Sequence, residues 1–246
     1  DFELHQETNR GHNVLVVTET QYGGLTGQTP NGTAEKIRKW LQNNYVTYSI
    51  QYVLLIGNPD PDDPTISDTV GDVPMKMMWP RQGAGSDEDS PTDAFYADMT
   101  GKWNLDGDTY FGEYTGDYSG VTGGVDFASE LWVGRIPVYT SISGWATTLD
   151  NILQKIMDYE NEGTITWRKN ALLPMSFSAA GYDGAPLSEQ MKADYLNSNG
   201  YSSWTMYQQG SGACGVDSSY TSSEELRGGT GVRDRWAAND YGLVVW

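Results

Sequence analysis

The sequence predicts an α/β fold built as two successive subdomains. Two continuous apolar runs, residues 14–17 (Val-Leu-Val-Val) and 52–57 (Tyr-Val-Leu-Leu-Ile-Gly), have the pattern of strands buried on both faces, as in a parallel sheet. Between them Ala34, Ile37, Leu41 and Tyr45 recur at helical spacing, with Glu35, Lys36, Arg38 and Lys39 interleaved, which predicts an amphipathic helix over one sheet face. After about Thr164 the same alternation of strand and helix begins again.

Taken in order, residues 2–9 carry no decisive pattern, and a Gly-, Thr- and Pro-rich loop precedes the first helix, which Thr33 is expected to cap. Thr33 also completes the sequon Asn31-Gly32-Thr33, which matters only in a eukaryotic secretory pathway. The strand at 52–57 closes a β-α-β unit whose crossover should be right-handed. It exits through Asn58-Pro59-Asp60-Pro61-Asp62-Asp63-Pro64, and in open α/β sheets the carboxyl end of a strand carries the binding crevice. A long acidic loop, 58–130, then leads into Leu131-Trp132-Val133-Gly134 and Arg135-Ile136-Pro137-Val138, a short buried strand with Pro marking its end. Arg135, charged at the end of that strand, should pair with a carboxylate or bind backbone carbonyls.

Leu149, Ile152, Leu153, Ile156 and Met157 form one apolar stripe over 146–160, a helix ended by Asn161-Glu162-Gly163. The subdomain boundary is therefore expected at 163, giving 1–163 and 164–246. In the second part a strand at 171–177 is interrupted by Pro174, and Leu187, Met191, Asp194 and Tyr195 lie on a helix. A further strand is expected at 204–208. Ser222 and Glu225 have the spacing of a capping box for a helix that Gly228-Gly229-Thr230-Gly231 interrupts and 232–238 resumes. Residues 241–246 read as a buried strand, and a chain stopping there looks clipped from something longer.

A formal charge of −18 argues against a nucleic-acid partner, because the phosphate backbone is gripped by Lys and Arg clusters that this chain lacks. No apolar run approaches the roughly 20 residues of a membrane span. The abundance of Tyr, Trp, Thr, Ser and Gly beside little Lys points to an exported protein, extracellular or at the cell surface. A single cysteine, Cys214, excludes an internal disulfide framework and a multi-thiolate metal site. The only histidines, His5 and His12, lie near the opposite end of the chain, so neither is expected to serve Cys214 as a base.

The acids concentrate in the long loop, where 16 Asp and Glu stand against three basic residues between Asp60 and Glu130. A loop of this length usually binds something or is disordered, and its Tyr, Trp and Phe content argues against disorder. Asn104, Asp106 and Asp108 alternate and Glu113 follows, so oxygen ligands recur on one side of a tight loop, as Ca²⁺ requires, with Gly107 permitting the turn. Asp93 and Asp98 could add ligands from earlier in the loop. Thr109 stands where an EF-hand needs Gly, and no Glu occupies that loop's twelfth position, so an EF-hand is excluded.

Five motifs in order, IRKWLQNNY followed by IQYVLLIGN, TDAFYAD with the DGD and GE that follow it, ELWVGRIPV, MDYENEGTITWRKNALL and RDRWAANDYGLVVW, make the chain resemble the gingipain-like cysteine peptidases. The resemblance implies a caspase-like fold of two side-by-side α/β subdomains with mostly parallel sheets flanked by helices, and structural calcium. It also implies a Cys–His dyad, but the family's Gly-His-Gly turn and its cysteine fall after the position of Trp246. The expected protein is thus the front portion of a secreted, calcium-stabilised cysteine endopeptidase, inactive alone. The remainder of the parent polypeptide or a second chain would complete it, and a protein or peptide would be its substrate. The alternative is a non-enzymatic calcium-binding assembly or surface-binding module on the same fold.

Overall fold

The computed structural model describes residues 1–63, 66–67, 69–81, 89–179, 181–209, 217–227 and 229–246. It divides into two compact units, Asp1–Asp158 and Tyr159–Trp246. The division falls inside a helix.

The first unit contains helices α1 (Phe2–Arg10), α2 (Glu19–Tyr22) and α3 (Thr33–Asn44), and strand β1 (Tyr52–Gly57). An antiparallel pair, β2 (Lys76–Met78) and β3 (Ser90–Thr92), the single turn α4 (Ala94–Ala97) and strand β4 (Trp132–Pro137) follow. The long helix α5 (Trp145–Asn161) then crosses into the second unit. β1 and β4 run parallel, from Tyr52 opposite Trp132 to Gly57 opposite Pro137. On one face Ala34, Ile37 and Leu41 of α3 pack in a cluster with Leu55 and Leu131.

That cluster extends into the acidic loop. Phe95, Tyr96, Trp103 and Phe111 are fully buried, and Phe95 meets the other three rings edge to face at centroid distances of 5.4 to 6.0 Å. The loop therefore has an aromatic core of its own, the order that its Tyr, Trp and Phe content implied.

Three local expectations for this unit change. Residues 14–17 form no strand; they have no ladder partner, and Leu15 and Val16 are 54% and 59% exposed. An apolar run specifies burial only if a neighbouring strand accepts it. Thr33 is the first residue of α3, and the cap is Gly32, whose N–H donates to Glu35 Oε2 at 2.7 Å. Glu35 thus does for the helix start what Thr33 was expected to do. The stripe on α5 exists, but only Met157 is buried, with Leu149, Leu153 and Ile156 half-buried.

The second unit comprises β5 (Asn170–Met175), the antiparallel pair β6 (Phe177–Ala179) and β7 (Tyr182–Asp183), and α6 (Ala185–Met191), continued by a wider turn to Leu196. After these come β8 (Ser202–Tyr207), β9 (Glu224–Glu225), α7 (Gly229–Ala237) and β10 (Leu243–Val244). Its principal sheet is parallel throughout, in the order β10-β5-β8-β9. Pro174 fits inside β5 for a specific reason. The N–H groups of Gly242 and Val245 donate to Asn170 O and Leu172 O, so alternate residues of β5 face β10. Pro174 is next in that series, beyond the last residue of β10, where a missing N–H breaks no ladder bond.

Ser222 and Glu225 do not open a helix. Glu224 and Glu225 pair with Met206 and Tyr207 as a short edge strand, and Ser222 Oγ donates to Glu224 O. The helix begins later, at Gly229, and runs through Gly231. No helix among the described residues is long and apolar enough to cross a membrane.

Candidate functional site

The acidic loop turns back on itself at Asn104. Its Oδ1 accepts the Gly107 N–H at 2.8 Å, while its Nδ2 donates to Thr29 O and Asp108 O at 2.8 and 2.7 Å. Gly107 sits at φ 85°, a conformation that a Cβ would strain, so glycine is required at this turn. Asp106 and Asp108 leave the turn on its open side.

The opposing wall is a short π-type turn, Tyr114–Tyr118, held by a residue that spacing did not single out. Asp117 is fully buried, and its two oxygens accept the N–H groups of Leu105 at 2.5 Å and Glu113 at 3.0 Å. One side chain thus ties both walls together. Burial raises its pKa, opposed by those backbone bonds. The only sequence hint was an Asp in a Gly-Asp-Tyr turn, where Asp commonly bonds nearby backbone.

These contacts bring Asp106, Asp108 and Glu113 together, each offering one oxygen within 4.8 Å of the others. Partial burial, and then the charges of Asp108, Asp106 and Asp117, push the Glu113 carboxyl up to about 7. Three converging carboxylates repel one another, and a cation between them reverses that penalty. The donors are all oxygen, and their separation suits ligands placed about 2.3–2.6 Å from a central hard cation.

The other three expected ligands have different partners. Asp93 binds Arg135 through Nε–H to Oδ2 and Nη2–H to Oδ1, both 2.7 Å, and Arg135 Nη1 also donates to Val73 O at 2.6 Å. Asp98 accepts the N–H groups of Thr100 and Gly101 through Oδ1 and the Trp103 Nε1–H through Oδ2. Its backbone oxygen is gripped by Arg38 Nε and Nη2, and Nη2 also reaches Gly101 O at 2.8 Å. Asn104 shapes the turn. The structure therefore assembles half of the expected ligand set and gives the rest to positioning.

Of the expected non-catalytic histidines, His5 is buried in α1 with Nδ1 3.0 Å from Asn9 Nδ2, and His12 meets the Tyr52 ring edge-on at 5.5 Å. Cys214 lies outside the described residues.

The sequence model of peptidase family C25 matches residues 2–233, nearly the whole chain. The chain belongs to peptidase family C25. This C25 chain is thereby a gingipain-like cysteine-peptidase domain, and the family's caspase-like fold agrees with the mostly parallel sheets of the two units. No curated protein and no solved structure matches it.

Proposed function

We propose that this C25 chain is the scaffold portion of a secreted, calcium-stabilised cysteine endopeptidase whose thiolate and histidine are supplied from outside residues 1–246. The observation that carries the reading is the strand order β10-β5-β8-β9. Chain order runs from β5 outward to β8 and β9, then returns to the other side of β5 as β10. The direction of winding reverses between β5 and β10, and α/β sheets bind ligands at the carboxyl ends of strands beside such a reversal. The family resemblance puts its Gly-His-Gly turn directly after the strand that ends here. A histidine arriving there would stand at the mouth of the crevice.

In this reading a thiolate attacks the peptide carbonyl and the histidine delivers a proton to the departing amine. Residues 1–246 supply the sheet that positions both groups. Asp106, Asp108 and Glu113 would hold calcium far along the chain from that chemistry, with a role in stability. The test is hydrolysis of a denatured protein substrate by the complete gene product and by residues 1–246 alone. Cleavage by the former only supports the reading; a complete product that cleaves nothing in calcium and reductant removes it.

A further inference from the structure

We propose that Tyr207, hydrogen-bonded to Glu189, is a positioning residue that fixes the carboxyl end of β10 and with it the approach of the catalytic histidine. This role rests on the proposed peptidase reading, in which the histidine follows β10. Tyr207 is the last residue of β8 and lies opposite Met175, the last residue of β5. Its side chain is fully buried and clusters with Met175 and Ala185. Val245, one residue past β10, packs against that cluster. The carboxyl ends of three neighbouring parallel strands therefore meet in one small cluster, beside the reversal of winding between β5 and β10.

Packing is not all that holds the ring. Tyr207 Oη donates to Glu189 Oε1 at 2.5 Å, and Lys192 Nζ donates to both oxygens of Glu189 at 2.8 and 3.0 Å. Partial burial would raise the Glu189 carboxyl, but the bonds from Lys192 and Tyr207 bring it below its ordinary value. The acceptor is therefore ionised, and a hydroxyl bonded to a charged partner is held more strongly than one bonded to a neutral oxygen. Glu189 stands on α6, whose start is tied to the same end of the sheet. Gly184 N–H donates to Ser176 O at 3.1 Å, and Ala185 N–H donates to Asp183 Oδ1 at 2.9 Å. A phenylalanine at 207 would fill the cluster equally well. What the hydroxyl adds is a fixed ring position, because a satisfied buried network rigidifies the core around it.

Rigidity at this end of the sheet has a chemical consequence. In a Cys–His pair the imidazolium lowers the thiol pKa, and the lowering depends on how closely the two are held. A Tyr207 ring free to shift loosens the cluster under the end of β10 and lets the histidine drift from its partner.

The test uses the complete gene product, following the pH dependence of its inactivation by iodoacetamide together with kcat and KM on a denatured protein substrate. Tyr207→Phe keeps the ring and removes the hydroxyl. Well below its melting temperature, its thiolate limb moves up by about half a pH unit or more. Its kcat falls about tenfold while KM stays within about twofold. Glu189→Ala leaves the ring in the core and gives the same changes, so the role remains testable if Tyr207→Phe fails to fold. Glu189→Gln, which retains an acceptor oxygen for the hydroxyl, keeps most of the wild-type kcat. A folded variant, Tyr207→Phe or Glu189→Ala, with a lowered melting temperature but an unmoved thiolate limb and unchanged kcat overturns the positioning role and leaves the peptidase reading standing. A wild-type product that hydrolyses nothing removes that reading and this role with it.

Discussion

Asp93 and Arg135 are joined by two parallel hydrogen bonds of 2.7 Å, a fork-to-fork pair that fastens the acidic loop to the strand that follows it. The guanidinium is almost wholly buried and the carboxylate about a quarter exposed, so the pair is shielded more than a surface ion pair. Asp93→Asn leaves a buried guanidinium without its counter-charge and is expected to destabilise the first unit by about 2–3 kcal/mol. Arg135→Lys is expected to cost nearly as much, since an ammonium cannot reproduce the fork and also reach Val73 O. Urea unfolding of the two single variants and the double variant measures the coupling.

Glu35 makes a similar prediction for α3. Its Oε1 lies 2.5 Å from Lys76 Nζ while its Oε2 caps the helix, and both charged groups are buried. Lys76 also sits over the Phe111 ring at 3.5 Å, which softens the loss of its partner. Glu35→Gln should lower stability by about 3 kcal/mol. Circular dichroism melts of the variant check this.

Gly124 allows the closest backbone approach among the described glycines of the acidic loop. A Cβ there would lie 1.5 Å from Asp117 O, a clash with backbone that no rotamer relieves. Gly124→Ala is expected to displace the segment that carries Asp117 and to destabilise by about 3 kcal/mol or more. Calcium-dependent stabilisation should vanish with it, read as the shift in melting temperature on adding the ion.

Glu113 sets a pH dependence opposite to that of an ordinary salt-bridged carboxylate. Its folded-state pKa of about 7 lies above the unfolded value near 4.5, so the folded chain favours the protonated form. That contribution is fully present below about pH 4.5 and is lost as pH rises through 7. Without a divalent ion, stability should fall between pH 5 and pH 8, and calcium should restore more at pH 8 than at pH 5. Melting curves at both values, with and without chelator, measure the two slopes. Glu113→Gln should abolish the difference.

The features legible in the sequence are those that local spacing encodes. The helix carrying Ala34, Ile37 and Leu41 is legible because its burial repeats with a short period, and strands do form at Tyr52 and Trp132, but the burial expected of them fails: Tyr52, Leu54, Ile56 and Trp132 are exposed. Residues 14–17 and Glu224–Glu225 were misread because pairing depends on a distant strand, which no local pattern reports. The same divide runs through the site. Alternating acids point to Asp106, Asp108 and Glu113, whose carboxylates the structure brings together, whereas the assignment of Asp93 to Arg135 and of the Asp98 backbone to Arg38 rests on neighbours 42 and 60 residues away. Asp117 was hidden for a further reason: its role is to bind backbone N–H groups, and those leave no signature in side-chain spacing.

The central claim is that the nucleophile of this C25 peptidase lies outside residues 1–246, and the most direct measurement is the site of covalent labelling. The complete gene product is treated with a peptidyl acyloxymethyl ketone, digested and mapped by mass spectrometry. The account predicts one labelled cysteine beyond Trp246, loss of hydrolysis in step with labelling, and an unlabelled Cys214. Stoichiometric labelling of Cys214, with activity lost in Cys214→Ala, would contradict it and place the nucleophile within this chain.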